Sequence, residues 1–204
     1  MPARNIVRTD EPISYYHVYA RGVGKGAIFL DDQDKYYFIQ LLSRYLSITP
    51  QENESGRLYP NYSGVVELLA YCLMDNHFHL LIYQDQVGYM SKLMTSIMTS
   101  YSMYFNLRYK RTGALFETRY RASRISSQNY LEHISRYIHL NPRNWATYEY
   151  SSIRYYLYGE KSDWLATEKI KNLFTSAKDY MTFLSDYEGH KYMLEILKSE
   201  LAHE

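Results

Sequence analysis

At the centre of this chain stands the stretch Asp75-Asn76-His77-Phe78-His79-Leu80-Leu81-Ile82, in which two histidines begin an apolar run. Successive side chains of a β-strand point to opposite faces, so His77 and His79 share one face and Phe78 takes the other. The apolar run before it, residues 64–74, is joined to it by only two polar residues. The two runs are therefore predicted to pair as a β-hairpin, with two imidazoles, half of a metal site, on one face.

The rest of the chain supplies the other elements of an α+β fold. Aromatic and branched residues predict a first strand over 15–21, and apolar residues at helical spacing predict a helix that begins after Asp31 or Asp32. After the hairpin we predict a helix from Val87, a strand over 114–125, and a helix capped by Ser126 or Ser127. The order β-α-β-β-α-β is that of a split βαβ, ferredoxin-like antiparallel sheet, whose first and third strands are central.

Length and composition bound the domain organisation. A chain of 204 residues with 46% hydrophobic residues can bury one complete core. We expect a main domain over 1–158 and a helical extension over 159–204. No apolar stretch approaches the roughly 18 residues needed to span a bilayer, and residues 1–5 lack the apolar segment of a secretory signal. The sequence thus predicts a cytoplasmic protein with no membrane association, and the one cysteine, Cys72, predicts no internal disulfide.

The charge distribution points to a phosphate-backbone ligand. Residues 108–158 hold 9 Lys and Arg against 3 Asp and Glu, whereas the segments on either side carry an excess of acidic residues. Clustered basic residues are typical of nucleic-acid binding, and the 25 tyrosines offer rings on which bases could stack. A solvated basic face is the simpler alternative. Candidate DNA-binding residues are Arg21, Lys110, Arg111, Arg119, Arg121 and Arg136.

The last helix of the core offers groups that could complete the histidine site. Tyr137 and Asn141 are four residues apart, so they share a helix face, and Pro142 places the end of the helix near Asn141. A carboxamide oxygen is a hard ligand suited to Mg²⁺ or Mn²⁺. Two imidazoles and one carboxamide would leave positions on the ion for a phosphate oxygen, which the Tyr137 hydroxyl could then attack at phosphorus.

Each of these residues also has a simpler interpretation. The two histidines could bind backbone groups or zinc, Asn141 could cap a helix before proline, and Tyr137 could be a core residue. His17, on the neighbouring strand, could face the site or be a satisfied polar residue. His133 and His139 fit a structural or surface role.

Three segments together resemble a known family: residues 74–81 (Met-Asp-Asn-His-Phe-His-Leu-Leu), residues 112–120 (Thr-Gly-Ala-Leu-Phe-Glu-Thr-Arg-Tyr) and residues 136–142 (Arg-Tyr-Ile-His-Leu-Asn-Pro). They resemble the single-tyrosine HUH transposases of bacterial insertion sequences, and most closely their REP-associated tyrosine transposases. The resemblance covers roughly residues 15–158. Departures from the family pattern, such as Asp75 at a position where proline is frequent, remove no proposed ligand.

The resemblance implies a transposase-type endonuclease and strand transferase in the bacterial cytoplasm, associated with the nucleoid. It implies Tyr137 as the nucleophile, a Mg²⁺ or Mn²⁺ ion held by His77, His79 and Asn141, and a 5′-phosphotyrosine intermediate. The implied partner is single-stranded DNA with a hairpin, from a REP-like element or an insertion-sequence end, and a homodimer is one expected state. The alternatives are a non-catalytic binder of single-stranded or hairpin DNA or RNA on the same fold, and a zinc hydrolase.

Overall fold

The computed structural model describes residues 10–186. In chain order its main elements are β1 (Ser14–Arg21), α1 (Asp32–Leu46), β2 (Val66–Met74), β3 (His77–Gln84), α2 (Tyr89–Arg108), β4 (Arg121–Ile125) and α3 (Gln128–His139). Three shorter helices follow, α4 (Ile153–Leu157), α5 (Glu168–Lys171) and α6 (Ala177–Ser185). None of the helices within residues 10–186 has both the length and the apolar character required to cross a bilayer.

The four strands form one antiparallel sheet in the order β2-β3-β1-β4. The first and third strands are central, so the predicted α+β class and split βαβ arrangement are confirmed. In the register of β1 against β3, Tyr19 lies opposite His79 and Arg21 opposite His77. The histidine strand is thus held on both sides by hydrogen-bonded neighbours, which fixes the direction of its side chains.

The sheet has one largely apolar face and one mixed face. Phe78, Leu80 and Ile82 belong to the apolar face and are buried against α1 and α2, where the rings of Phe38 and Phe78 lie 4.9 Å apart. The odd-numbered residues of β3, including His77 and His79, belong to the other face, against which α3 packs. Strand alternation therefore separates the hydrophobic core from the face that carries the ionisable groups.

The predicted strand over 114–125 is a strand only over Arg121–Ile125. Its first part is irregular backbone that crosses the end of β1, where the Glu117 amide donates to the Arg21 carbonyl oxygen at 3.0 Å. Leu115 and Phe116 are consecutive and both buried. Two adjacent residues of a regular strand cannot face the same core, so this pair favours a loop that folds over the sheet end.

The chain after α3 covers the outer edge of β2. The Leu73 amide donates to the Tyr150 carbonyl at 2.9 Å, and the Ala166 amide donates to the Leu68 carbonyl at 2.8 Å. An edge strand paired in this way offers few free backbone groups to another chain. The boundary at residue 158 stays a prediction, since residues on both sides of it contact the same strand.

Candidate functional site

The predicted last helix of the core is present as α3, and it brings Tyr137 onto the histidine face. The helix begins after Ser127, whose hydroxyl accepts a hydrogen bond from the Tyr130 amide, as the capping prediction required. It ends at His139, just before Asn141 and Pro142. Tyr137 lies over β3, with its ring centroid 5.1 Å from that of His79.

His77, His79, Tyr137 and Asn141 form one contiguous cluster. The rings of His77 and His79 are 4.9 Å apart, and the Asn141 side chain is close enough to both His77 and Tyr137 to raise the pKa of the imidazole and to lower that of the phenol. The structure therefore brings the proposed metal ligands and the proposed nucleophile together. All four residues come from one chain, so the cluster is complete in a single copy of the protein.

The surroundings of His77 leave its Nε2 atom available as a ligand. The Asn76 amide nitrogen donates to the Lys25 carbonyl at 3.2 Å, which turns the Asn76 oxygen toward His77 Nδ1 at 2.6 Å. An oxygen acceptor at this distance favours the tautomer of neutral His77 that carries its proton on Nδ1. Its Nε2 atom then carries a lone pair, the form in which an imidazole binds metal.

His79 has the same arrangement with a different partner. Its Nδ1 atom lies 2.9 Å from Nε2 of His17, and both side chains are buried. Its own Nε2 atom is buried and has no hydrogen-bond partner among the described residues. A buried polar atom without a partner is costly, and a metal ion in the cluster would satisfy it.

The protonation states also suit metal binding. Burial lowers the pKa of His79 well below its usual range, and the nearby His17, His77 and Arg21 lower it further. Burial is also the main cause that lowers the pKa of His77, although its hydrogen bond to Asn141 opposes the shift. Both imidazoles are therefore neutral near pH 7, as ligands must be.

Tyr137 is not an activated nucleophile by itself. Burial raises the pKa of its phenol, and this effect outweighs the opposing hydrogen bond from Asn141 and the positive charge of Arg21. A phenolate at this position needs further positive charge nearby. The site residues therefore fit a divalent ion in two respects: they offer ligands for it, and its positive charge would favour the phenolate form of Tyr137.

Within residues 10–186, no three His, Cys, Asp or Glu side chains are grouped so that they could hold a metal ion. The candidate ligands in the cluster are two histidines and the carboxamide of Asn141, and a carboxamide does not belong to those four residue types. A zinc hydrolase built on His77 and His79 would require a further nitrogen, sulfur or carboxylate ligand. The described part of the chain does not supply one.

The orientation of α3 depends on a buried hydrogen-bond network that centres on His139. Its Nδ1 atom lies 2.6 Å from the Tyr180 hydroxyl of α6, and its Nε2 atom lies 2.7 Å from the Ser152 hydroxyl, which also accepts from the backbone amide of Tyr71 in β2. The Tyr180 hydroxyl donates in turn to Ser135. The network joins α3 to β2 and to α6. His139 therefore has a structural role, one of the two roles that the sequence suggested for it.

The basic residues proposed for DNA binding have different environments. Arg21 is exposed beside the cluster, and with Tyr19, Glu117, Thr118 and Arg121 it lines a shallow cleft at the end of β1. Exposed side chains also include Lys110, Arg111 and Arg119, whereas Arg121 is half-buried.

Arg136 differs from all of these. It is 1% exposed, its guanidinium lies 3.5 Å from the centre of the Phe183 ring, and its nearest carboxylate is Asp186 at 3.8 Å. It points toward α6 and away from the surface that the other basic residues share. In this conformation it offers no group to a DNA backbone.

Comparison with known proteins shows which proteins this chain resembles. The family model described as "Transposase IS200 like" matches residues 62–141, a segment that runs from just before the hairpin to Asn141. No curated protein sequence matches the chain. The resemblance to this group of transposases, predicted from the three motifs, is confirmed.

A solved structure of a REP-associated tyrosine transposase bound to a REP hairpin has a similar fold. The two chains are 15% identical, and the match covers 78% of this chain and 89% of the other, with a TM-score of 0.52. At this identity the likeness shows a shared fold.

Proposed function

We propose, on the basis of the transposase match over residues 62–141, that this protein cuts and rejoins single-stranded DNA through a covalent bond to Tyr137. The observation that carries the proposal is the meeting of Tyr137, His77, His79 and Asn141 at one point, inside the matched segment. A non-catalytic binder would not require a tyrosine against two neutral histidines, one of which has a buried Nε2 atom without a hydrogen-bond partner among the described residues.

The reaction is a transfer of one phosphodiester bond. The Tyr137 oxygen forms a bond to phosphorus, the bond from phosphorus to the 3′ oxygen breaks, and the proton lost by the phenol is balanced by one gained at the 3′ oxygen. The products are a 5′-phosphotyrosine and a free 3′-OH. Attack by a 3′-OH on the phosphotyrosine reverses the step and joins strands without ATP, because bond energy is retained in the phosphotyrosine.

The chain's own residues prepare this transfer in three ways. His77, His79 and the Asn141 oxygen would hold a Mg²⁺ or Mn²⁺ ion, which would polarise a phosphate oxygen and neutralise its developing charge. The Asn141 side chain beside Tyr137 lowers the pKa of the phenol and so favours its ionised form. Arg21 adds positive charge at the open side of the cluster, where the phosphate would enter.

The proposed substrate is DNA that carries a hairpin next to a single-stranded cutting site. The solved structure with the similar fold holds a REP hairpin, and the present chain has exposed basic side chains near the end of β1. Phosphate contacts of this kind position a strand without reading its sequence. Because Tyr137 lies beside the histidines of its own chain, the proposed reaction uses the nucleophile and the metal ligands of one copy.

The test is the formation of a covalent adduct. A labelled single-stranded oligonucleotide with a hairpin is incubated with the protein and Mn²⁺ or Mg²⁺ and then run on a denaturing gel. We expect a protein–DNA band that requires the divalent ion. Tyr137→Phe should abolish the band but retain hairpin binding, because only the phenolic oxygen is removed.

Tyr130→Phe is the matched control, since Tyr130 lies two turns earlier on α3 and is half-buried. It should form the adduct normally. An adduct that persists in Tyr137→Phe would refute the assignment of the nucleophile. Hairpin binding by the wild-type protein with no adduct in any divalent ion would favour the non-catalytic binder.

A further inference from the structure

The buried pair His17 and His79 has a geometry that the reaction scheme does not yet use. His17 lies on β1 and is 2% exposed, and its Nε2 atom is 2.9 Å from Nδ1 of His79. In the β1–β3 register His17 is opposite Leu81, so it reaches His79 diagonally on the same face. The two rings are nearly parallel, with centroids 5.0 Å apart.

Only one proton can lie between these two nitrogens, and its position decides whether His79 can be a ligand. If His17 Nε2 carries the proton, His79 Nδ1 is the acceptor, and the proton of neutral His79 must lie on Nε2. That atom could then not bind a metal ion, and its N–H would be buried without an acceptor. If His79 Nδ1 carries the proton, His79 Nε2 has a free lone pair.

We propose that His17 is a positioning residue, which accepts the Nδ1 proton of His79 and thereby keeps His79 Nε2 in the form that binds the divalent ion. The inference rests on the proposed function, because it concerns the same metal site. His17 makes no contact with the ion or with DNA in this role. It fixes the tautomer and the ring orientation of the residue that does, as carboxylates and carbonyls do for ligand histidines in other metalloproteins.

The role is needed because an isolated neutral imidazole side chain prefers its proton on Nε2. Without an acceptor at Nδ1, His79 would carry its proton on the ligand nitrogen for most of the time. His77 does not have this problem, since the Asn76 oxygen accepts from its Nδ1 atom. Two different acceptors therefore prepare the two histidines for the same ion.

The first test measures Mn²⁺ affinity by calorimetry in the full chain without DNA. His17→Leu, which offers no acceptor, should weaken binding by about 10- to 100-fold, the usual effect of losing such a partner. His17→Gln, whose amide oxygen can accept the Nδ1 proton, should bind Mn²⁺ markedly more tightly than His17→Leu. Val18→Ala is the control, because it opens space in the same strand on the opposite face and should leave Mn²⁺ affinity unchanged.

The second test determines the tautomer of His79 by ¹⁵N NMR of the metal-free protein. We expect the proton on Nδ1 in the wild type and a shift toward Nε2 in His17→Leu. A wild-type His79 protonated on Nε2 would overturn the inference, as would a His17→Leu protein with wild-type Mn²⁺ affinity.

These outcomes separate the two proposals. If the wild type forms the Tyr137 adduct but His17→Leu binds Mn²⁺ normally, only the role of His17 fails. If the wild type binds no divalent ion, the metal site and the role of His17 fail together.

Discussion

His139 should make the protein less stable in mild acid, and replacing it should reduce that sensitivity. The side chain is completely buried, and burial lowers its pKa to about 3 from the ordinary 6.5. The hydrogen bonds explain the neutral form: the Ser152 hydroxyl donates to Nε2, while Nδ1 donates to Tyr180. A second proton on Nε2 would place a positive charge in this fully buried position and would turn the Ser152 proton toward the Tyr71 carbonyl oxygen, 3.3 Å away.

The sign and the size of the effect follow from linkage. Between pH 6.5 and pH 3 the unfolded chain binds a proton at His139 that the folded protein does not, so stability falls as the pH falls through this window. One such group costs about 2 kcal/mol of unfolding free energy between pH 7 and pH 5, at about 1.4 kcal/mol per pH unit. His139→Leu cannot make this contribution.

The assay is denaturant unfolding of wild type and His139→Leu at pH 7 and pH 5, with a chelator present. At pH 7 the variant should be less stable by about 2–3 kcal/mol, because two buried hydrogen bonds are lost. At pH 5 the difference should shrink to about 0–1 kcal/mol. His17 and His79 titrate in both proteins, so their contribution cancels. A difference that is equal at the two pH values would show that His139 is not buried in its neutral form.

Three further substitutions test the assignment of the basic residues. Arg136→Met should leave the unfolding free energy unchanged or raise it, measured by denaturant titration, because two of its guanidinium nitrogens are buried without partners among the described residues. Arg108→Ala should instead lower it, since Arg108 is 2.6 Å from the fully buried carboxylate of Asp34, which would lose its charged partner. Arg121→Ala should weaken hairpin binding and reduce the slope of log affinity against log salt by about one, whereas Arg136→Met should leave that slope unchanged.

The elements closest to the site were the most predictable from sequence. The alternation of His77, Phe78 and His79 could only fit a strand with one core face, and the capping serine and Pro142 bracketed α3 from both ends. These are local signals, because the residues that determine each helix or strand lie within that element or a few positions from its ends. The predicted pairing order also held, because a split βαβ connection leaves few alternatives for the third strand.

The irregular segment before β4 was predicted as strand because its composition is typical of one. Its actual path is set by tertiary contacts: Gly22 bridges to Phe116, and the Val23 amide donates to the Leu115 carbonyl. The segment does not pair as a regular strand, and this allows the consecutive side chains of Leu115 and Phe116 both to be buried. These contacts join residues that are far apart in the sequence, such as Gly22 and Phe116, so local sequence patterns cannot predict the path of the segment.

Arg136 and Tyr137 show why helix docking decides function at this site. Adjacent residues on a helix point about 100° apart, so when α3 turns Tyr137 toward β3 it must turn Arg136 away from the sheet. From the sequence alone, Arg136 is predicted to be exposed to solvent, because no neighbouring residue indicates that α6 packs against this side of α3. The docked α6 places Phe183 and Tyr180 against that side of α3, and Arg136 is buried there. The contact between Arg136 and Phe183 and the position of Tyr137 beside His79 therefore belong to one rotation of α3, in which opposite sides of the helix face α6 and the histidines.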